Sequence, residues 1–228
     1  MGERIVVINP NSSQDVTDGI DAALDGLRLD GGPEIDCLTL AEGPPGIESQ
    51  RHVDGVIGPL CRLVEAQDNR ASAFVIACFS DPGLQSARET TRKPVLGIAE
   101  AGIATALTLG ERFGIVAILA TSLGRQRRFV RAMGLESRFA GGRPVGLSVT
   151  ALADEDLTLS RMIEVGRALK DEDGADVVIM GCAGMARYRD RLEDTLAIPV
   201  VDPTQAAVGM AISAVRLGYR TAAQRVMH

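Results

Sequence analysis

Two cysteines stand at matching places in the chain, and their thiols are the side chains best suited to acid–base chemistry. Cys78 directly follows the apolar run 73–77, and Cys182 follows the apolar run 177–180 after one glycine. Each precedes a short polar or glycine-containing segment typical of a helix start. The unpaired N–H groups and positive dipole end of such a helix lower a thiol pKa from about 8.5. We therefore predict that each thiol supplies a thiolate near neutral pH and can act as a base.

The remaining cysteines and the histidines do not indicate a second reactive site. Cys37 and Cys61 lie inside apolar stretches without an equivalent partner, which predicts packing roles. With no CxxC spacing, and with only His52 and His228 as histidines, a zinc site lacks ligands. A disulfide between Cys78 and Cys182 is disfavoured in a reducing cytoplasm. His52 is predicted to be a solvated loop residue.

Two polar segments are further candidates for ligand contacts. Residues 9–13, Asn-Pro-Asn-Ser-Ser, come where the first apolar run ends and a helix is expected to begin. Thr121 and Ser122 hold the corresponding place in the second half of the chain. Side chains and N–H groups at such a junction can bind a carbonyl or a carboxylate, and they can equally serve as helix caps. Both interpretations stay open.

Short β-branched runs alternate with longer amphipathic stretches, which is typical of an α/β fold. Because the strands are apolar on both faces, they indicate parallel sheets covered by helices. Predicted strands span 4–8, 35–40, 73–77, 94–97, 114–119, 145–149, 177–180 and 200–201; predicted helices span 12–27, 53–68, 84–91, 103–110, 125–133, 154–170, 188–196 and 204–217.

The two halves of the chain repeat each other. Setting Cys78 on Cys182 aligns their preceding strands at an offset of 104 residues, Pro94 then matches Pro199 at 105, and the first strand matches the one near Gly114 at about 109. The sequence therefore predicts two similar lobes, each with a parallel sheet of about four strands. Ligands of open α/β sheets bind beyond the carboxyl ends of the strands, where both cysteines fall. The site is predicted in the cleft between the lobes.

Composition excludes several classes of function. The 228 residues carry 24 Lys+Arg and 30 Asp+Glu, a net charge of −6, and no tryptophan, which is unlike a nucleic-acid-binding protein. No apolar run approaches the roughly 20 residues that span a bilayer, and no secretory signal is evident, so a cytoplasmic protein is expected. The dinucleotide, Walker, zinc-peptidase and α/β-hydrolase motifs are all missing, so no cofactor is predicted.

Four segments together carry a family resemblance. Residues 8–13 (INPNSS), 77–84 (ACFSDPGL), 97–101 (GIAEA) and 181–185 (GCAGM) resemble the aspartate/glutamate racemase superfamily, and within it the hydantoin racemase branch, which includes allantoin racemases. The resemblance covers essentially the whole chain. It implies a two-lobed α/β enzyme without cofactor or metal, whose C-terminal helix returns to the first lobe. The lobes would then comprise residues 1–98 with 206–228, and residues 99–205.

The resemblance also implies a mechanism and a set of site residues. One cysteine thiolate removes the proton from a carbon beside a carbonyl, and the other thiol returns a proton from the opposite face. By motif position these are Cys78 and Cys182, and two equivalent lobes would supply one group to each face of a planar intermediate. Because a hydantoin is neutral, a strong cationic clamp is not required, which fits motifs that contain no Arg or Lys. The substrate-binding positions that match are Asn11, Phe79, Ser80, Thr121, Ala183 and Gly184.

Several functions stay open at this point. The leading one is racemisation of 5-monosubstituted hydantoins or of allantoin, which the residues do not separate. Aspartate or glutamate racemisation would need charged partners for an ammonium and a carboxylate. An arylmalonate decarboxylase-like reaction uses a single cysteine, so the presence of two counts against it. A ligand sensor without turnover is the non-enzymatic alternative. A small-molecule substrate is expected, and a homo-oligomer is plausible for the family.

Overall fold

The computed structural model describes residues 2–221, with the side chains of residues 150 and 153 excepted. The predicted 206–228 segment and His228 therefore lie partly or wholly outside the described residues. Eight strands and nine α-helices alternate along this part of the chain, joined in places by 3₁₀ turns. The strands are β1 (Arg4–Asn9), β2 (Glu34–Thr39), β3 (Ala73–Ile76), β4 (Val95–Gly97), β5 (Phe113–Ala117), β6 (Phe139–Pro144), β7 (Val177–Met180) and β8 (Val200–Val201). The helices are α1 (Gln14–Ala23), α2 (Gln50–Gly55), α3 (Ile57–Gln67), α4 (Leu84–Thr90), α5 (Ile98–Ala106), α6 (Ala120–Ala132), α7 (Glu155–Asp171), α8 (Arg189–Leu196) and α9 (Pro203–Arg216).

The strands form two parallel four-stranded sheets with the same internal order. The first sheet runs β2-β1-β3-β4 and the second runs β6-β5-β7-β8. Strands that the sequence repeat aligned occupy equivalent positions, since β3 corresponds to β7, β4 to β8 and β1 to β5. The predicted α/β fold with two similar lobes is confirmed.

Alternate residues of the central strands face two different cores. Ile5 and Val7 of β1 belong to a core that also contains Phe113 and Ile115 of β5. Their neighbours face separate outer cores, one beneath α3 and α4 and one beneath α7 and α8. Because both faces of each sheet are covered at its centre, β3, β5 and β7 are apolar and buried throughout, whereas the edge strands β2 and β6 are only partly buried and contain charged residues. The shared core joins the lobes.

Helix α9 packs against this shared core through Ala207, Val208 and Ala211. The helix also contacts the end of α1 in the first lobe, because the Gln205 side chain donates to the carbonyl of Ala23 at 2.9 Å. The helix also packs against α5, so the assignment of the C-terminal helix to the first lobe stays a prediction.

The strand predicted at 145–149 is wrong, because β6 is Phe139–Pro144. A strand containing Gly141 and Gly142 is hard to recognise from β-propensity, since glycine is depleted in strands. The glycines fit here because a Cβ on Gly142 would lie 3.2 Å from the Leu123 side chain. Val145 and Gly146 still donate to the carbonyls of Ala117 and Ile118 at 2.8 and 2.9 Å, and the strand does not continue past Gly146, whose φ is +78°.

Two helix starts also differ from prediction. Helix α5 begins at Ile98 instead of near residue 103, because the buried Asp81 carboxylate accepts the N–H groups of Ala99 and Glu100 at 2.9 Å each. Helix α6 begins at Ala120 instead of at 125. The earlier start places Thr121, Ser122 and Arg125 in the first two turns of one helix. Ser122 and Arg125 then line the site described below.

Candidate active site

The two matched cysteines line the same cavity between the sheets. Cys78 lies two residues beyond the end of β3, and Cys182 lies two residues beyond the end of β7. We call the space they share the thiol cavity. Its empty volume is about 470 Å³, the opening included. All four cysteines are unpaired, so no disulfide joins Cys78 to Cys182.

Each of these thiols meets the backbone in the same way. The N–H of Ser80 donates to the Cys78 sulfur, and the N–H of Gly184 donates to the Cys182 sulfur. Both donors stand two residues after the thiol. The lobes therefore repeat the local geometry of the cysteine as well as its position in the sheet.

The predicted lowering of the thiol pKa is wrong for this structure. Burial raises the pKa of Cys78 to about 12 and that of Cys182 to about 11, although the Ser80 and Gly184 N–H groups act in the opposite direction. Helix α4 begins only at Leu84, so its dipole end is separated from Cys78 by a turn. One N–H donor per thiol does not offset the loss of water. Each resulting thiolate is a strong base held in a small population.

The charged surroundings of the two thiols are different. Carboxylates raise the pKa of both thiols, Asp81 that of Cys78, and Glu48 and Asp202 that of Cys182. Only Cys78 has an arginine, Arg125, whose guanidinium lowers its pKa. The two thiols are equivalent in backbone geometry and unequal in electrostatics.

The first polar segment borders the cavity through Asn11, which is buried. The Asn11 side-chain oxygen already accepts from the Ser13 N–H at 2.9 Å and from the Asn9 amide at 3.0 Å. The amide NH2 of Asn11 is therefore the part that can serve a ligand. Asn9 holds this loop in place, because it also donates to the Thr17 hydroxyl at 3.0 Å.

The structure brings most of the sequence-predicted site residues to the thiol cavity. Its walls include Phe79 and Ser80 beside Cys78, and Ala183 and Gly184 beside Cys182. Thr121 is an exception: it is exposed, and its hydroxyl donates to the carbonyl of Glu48 at 3.2 Å. The next residue, Ser122, is buried and borders the cavity instead.

Arg125 also lines the thiol cavity, so a cationic side chain borders the site although the four family motifs contain no Arg or Lys. One Nη donates to the carbonyls of Glu48 at 3.3 Å and Thr121 at 3.1 Å, and the other to the Ser122 hydroxyl at 3.3 Å. Its Nε is buried without a hydrogen-bond partner. No motif marked this residue. The available signal was helical spacing, because a helix starting at 120 puts Arg125 on the face of Thr121 and Ser122.

Glu48 joins the two lobes at the edge of the cavity. Its carboxylate accepts the Val149 N–H at 2.9 Å, and its carbonyl accepts from Thr121 and Arg125 of α6. The N–H of Glu48 donates to His52 Nδ1 at 3.3 Å. His52 therefore orders the loop that carries this contact, a role the sequence did not predict.

Two further cavities adjoin the thiol cavity. The α6 cavity shares Phe79, Ser80, Arg125 and Gln126 with it and has an empty volume of about 690 Å³. Its other walls are largely apolar, and its rim is polar: Val53, Ile103, Ile115, Phe129 and Val130 form the walls, and Gln50 and Arg128 stand at the rim.

The α1 cavity lies on another side of the thiol cavity, with which it shares Val16, Val149, Ala183 and Gly184. It differs from the α6 cavity in carrying charge of both signs, from Asp15 and Arg187. The two extensions of the site therefore differ in charge, because the described charged residues of the α6 cavity are all arginines and the α1 cavity carries an aspartate and an arginine.

Within residues 2–221, no three His, Cys, Asp or Glu side chains come together as metal ligands. In the same residues, no helix is both long and apolar enough to span a bilayer.

Comparison with known proteins identifies the family. A family model described as Asp/Glu/hydantoin racemase matches residues 5–211. A hydantoin racemase from Paenarthrobacter aurescens is 37% identical over 224 residues, which cover 96% of this chain and 93% of that protein. The allantoin racemase from Klebsiella pneumoniae superposes with a TM-score of 0.90 at 34% identity, covering 98% of this chain and 91% of that one. The allantoin racemase from Pseudomonas fluorescens gives 0.91 at 29% identity, with coverage of 97% and 94%. The chain belongs to the Asp/Glu/hydantoin racemase family and, within it, to the hydantoin racemase branch.

Proposed function

We propose that this racemase inverts 5-monosubstituted hydantoins at C5, with Cys78 and Cys182 as the two acid–base groups and no cofactor. In the reaction, the C5–H bond breaks, its proton forms an S–H bond with one thiolate, and its electron pair moves onto the C4 carbonyl as an enolate. The opposing thiol then gives its proton to the other face of C5. The observation that carries the proposal is that both cysteines border one cavity from equivalent turns.

Other wall residues would bind and orient the substrate. The Asn11 amide, the Ser80 hydroxyl and the small Ala183–Gly184 turn lie where the polar edge of a hydantoin ring would be, and Phe79 would contact the ring. Thr121 would act indirectly in this proposal, through its bond to the Glu48 carbonyl.

Amino-acid racemisation fits the cavity less well. An amino acid carries an ammonium group, and burying an ammonium without a partner costs several kcal/mol. None of the described residues that line the thiol cavity is a carboxylate. A neutral ring that becomes an anion during the reaction suits a cavity whose charged side chain is an arginine.

The reaction is tested by hydrogen exchange at C5. One enantiomer of 5-benzylhydantoin incubated in heavy water should gain deuterium at C5 while its optical rotation decays to zero. Cys78→Ala and Cys182→Ala should each abolish racemisation, although each can still exchange one enantiomer. Cys61→Ala, on the outer helix α3, is the matched control and should keep wild-type rates. Normal racemisation by both site variants would refute the two-thiol mechanism.

The α6 cavity favours an apolar substituent at C5. Burying one extra CH2 contributes about 0.8 kcal/mol, or roughly fourfold in kcat/KM. We therefore expect kcat/KM to rise from 5-methylhydantoin through the 5-isobutyl to the 5-benzyl compound, measured by polarimetry. A flat series would contradict this placement of the substituent.

Allantoin is the second candidate, and the α1 cavity is the observation that favours it. A ureido group needs partners for its N–H groups and its carbonyl, which Asp15 and Arg187 could supply. If allantoin is the better substrate, Asp15→Asn should lower its kcat/KM while leaving that of 5-benzylhydantoin within about twofold. Allantoin turnover below that of the 5-benzyl compound, and unaffected by Asp15→Asn, would exclude this candidate.

A further inference from the structure

Arg125 combines three properties that a merely structural arginine would not need. It borders both the thiol cavity and the α6 cavity, so the residue lies where they meet. Its Nε–H is buried with no acceptor, and a buried unpaired donor of this kind costs about 1–3 kcal/mol, more for a charged group. Its charge acts on Cys78, the thiol on the same side.

The guanidinium is also held in one orientation. Two backbone carbonyls, from Glu48 in the first lobe and Thr121 in α6, accept from one Nη, and the Ser122 hydroxyl accepts from the other. None of these partners is an anion, so the positive charge is oriented without being neutralised. A fixed, unneutralised donor in a water-poor cavity is what stabilises charge that develops during a reaction.

We propose that Arg125 is a further catalytic residue, whose guanidinium donates to the substrate oxygen that becomes negative when C5 is deprotonated. This inference rests on the proposed function. The C5–H electron pair ends on the carbonyl oxygen, and an Arg125 N–H forms a charge-assisted hydrogen bond to it. No proton leaves the arginine, because the guanidinium stays charged throughout.

The proposal is tested with Arg125→Ala and Arg125→Gln. Removing one donor to a developing oxyanion typically costs about 10²- to 10³-fold in kcat, and we expect both variants to lose at least about 100-fold with a much smaller change in KM. Arg125→Gln retains amide donors for the Glu48 and Thr121 carbonyls, so it guards against a loss due only to misfolding. Millimolar guanidinium should restore part of the kcat of Arg125→Ala and none of that of Arg125→Gln, whose side chain fills the space. Arg127→Ala, an exposed neighbour on the same helix, should keep wild-type kcat.

A binding measurement separates this role from turnover. Barbiturate is a planar cyclic imide that is an enolate anion at neutral pH, and calorimetry can measure its affinity for the Cys78→Ser/Cys182→Ser protein. Adding Arg125→Gln should weaken barbiturate about tenfold or more while changing the affinity of neutral 5-benzylhydantoin little. The proposal is overturned if Arg125→Gln keeps kcat within about fivefold of wild type, or if it leaves barbiturate affinity unchanged. Failure of the proposed function would show differently, as absence of C5 exchange in the wild-type enzyme.

Discussion

At the scale of single residues, burial decides the behaviour of the two thiols. With pKa values raised to about 12 for Cys78 and about 11 for Cys182, both are protonated in the resting enzyme at neutral pH. Loss of a proton from either creates the pair of thiolate and thiol that the proposed reaction requires. The proposed reaction would therefore start from a minor ionisation state, with each thiolate correspondingly more basic.

This has a measurable consequence for alkylation. Since only the thiolate reacts, the iodoacetamide alkylation rate of each site cysteine should rise about tenfold per pH unit from pH 7 to beyond pH 9. Mass spectrometry of the peptides that contain Cys78 and Cys182 gives the two rates separately. Barbiturate bound in the cavity should slow both, while Cys61 on α3 reports any general change in reactivity. An alkylation rate that stops rising below pH 8 would show that the thiol has a pKa below 8, which contradicts the raised pKa values that burial gives.

The sequence predicted that Cys78 and Cys182 lie in one site, and it did not predict that Arg125 lies there too. The reason for the difference is physical. Two cysteines after equivalent strands are visible as a repeat, because the strand and the turn are local features. Arg125 reaches the cavity only because α6 starts at Ala120, and a contact to Glu48 from 77 residues earlier in the chain then fixes it. Neither fact follows from a motif or from composition.

At the scale of secondary structure elements, glycines determine which segments can approach one another. Strand β6 was missed because Gly141 and Gly142 weaken its strand pattern, although a Cβ on Gly142 would crowd the Leu123 and Gln126 side chains of α6. Gly181 has a sharper requirement, since a Cβ on it would lie 2.6 Å from the carbonyl oxygen of Val116. That carbonyl accepts the Gly181 N–H at 2.8 Å. Gly181 therefore holds the end of β7 against β5 directly before Cys182.

Two glycine substitutions test the role of Gly181, because they should change the free energy of unfolding in opposite directions. Gly181→Ala should lower the free energy of unfolding by about 1–3 kcal/mol, since the backbone must shift, and should lower kcat by displacing Cys182. Gly209→Ala lies inside helix α9, where an added Cβ meets nothing within 4 Å. It should raise the free energy of unfolding by about 0.5–1 kcal/mol at unchanged kcat. Urea unfolding and polarimetry measure both, and equal effects of the two variants would contradict the account.

At the scale of the whole molecule, the two lobes have separate sheets and share one hydrophobic core. The core that contains Ile5 and Val7 also contains Phe113 and Ile115, and α9 closes it. The sequence repeat predicted the two sheets. It did not predict that they share a core, because the pairing of the inner faces depends on contacts between residues about 100 positions apart.

Cooperative unfolding follows from this shared core. Cutting the chain after residue 98 would expose the inner face of the first sheet, so a fragment of residues 1–98 should not fold alone. In the intact protein, the slowest-exchanging amides of β3 and β7 should exchange through one global opening with the same free energy and the same urea dependence. Hydrogen exchange followed by mass spectrometry can compare the two strands. Two distinct opening energies would indicate lobes that unfold independently.

The unequal surroundings of the two thiols bear on how the enzyme treats mirror-image substrates. The Asp81 carboxylate and the Arg125 guanidinium act on Cys78 in opposite directions, whereas Glu48 and Asp202, both carboxylates, act on Cys182. Left- and right-handed hydantoins have the same free energy in water, so thermodynamics holds the ratio of their kcat/KM values at one whatever the protein does. A difference between the two thiols can therefore change kcat and KM only together, by the same factor for the two enantiomers. The enantiomer with the lower KM would then have the lower kcat, and its mirror image would have the higher KM and the higher kcat.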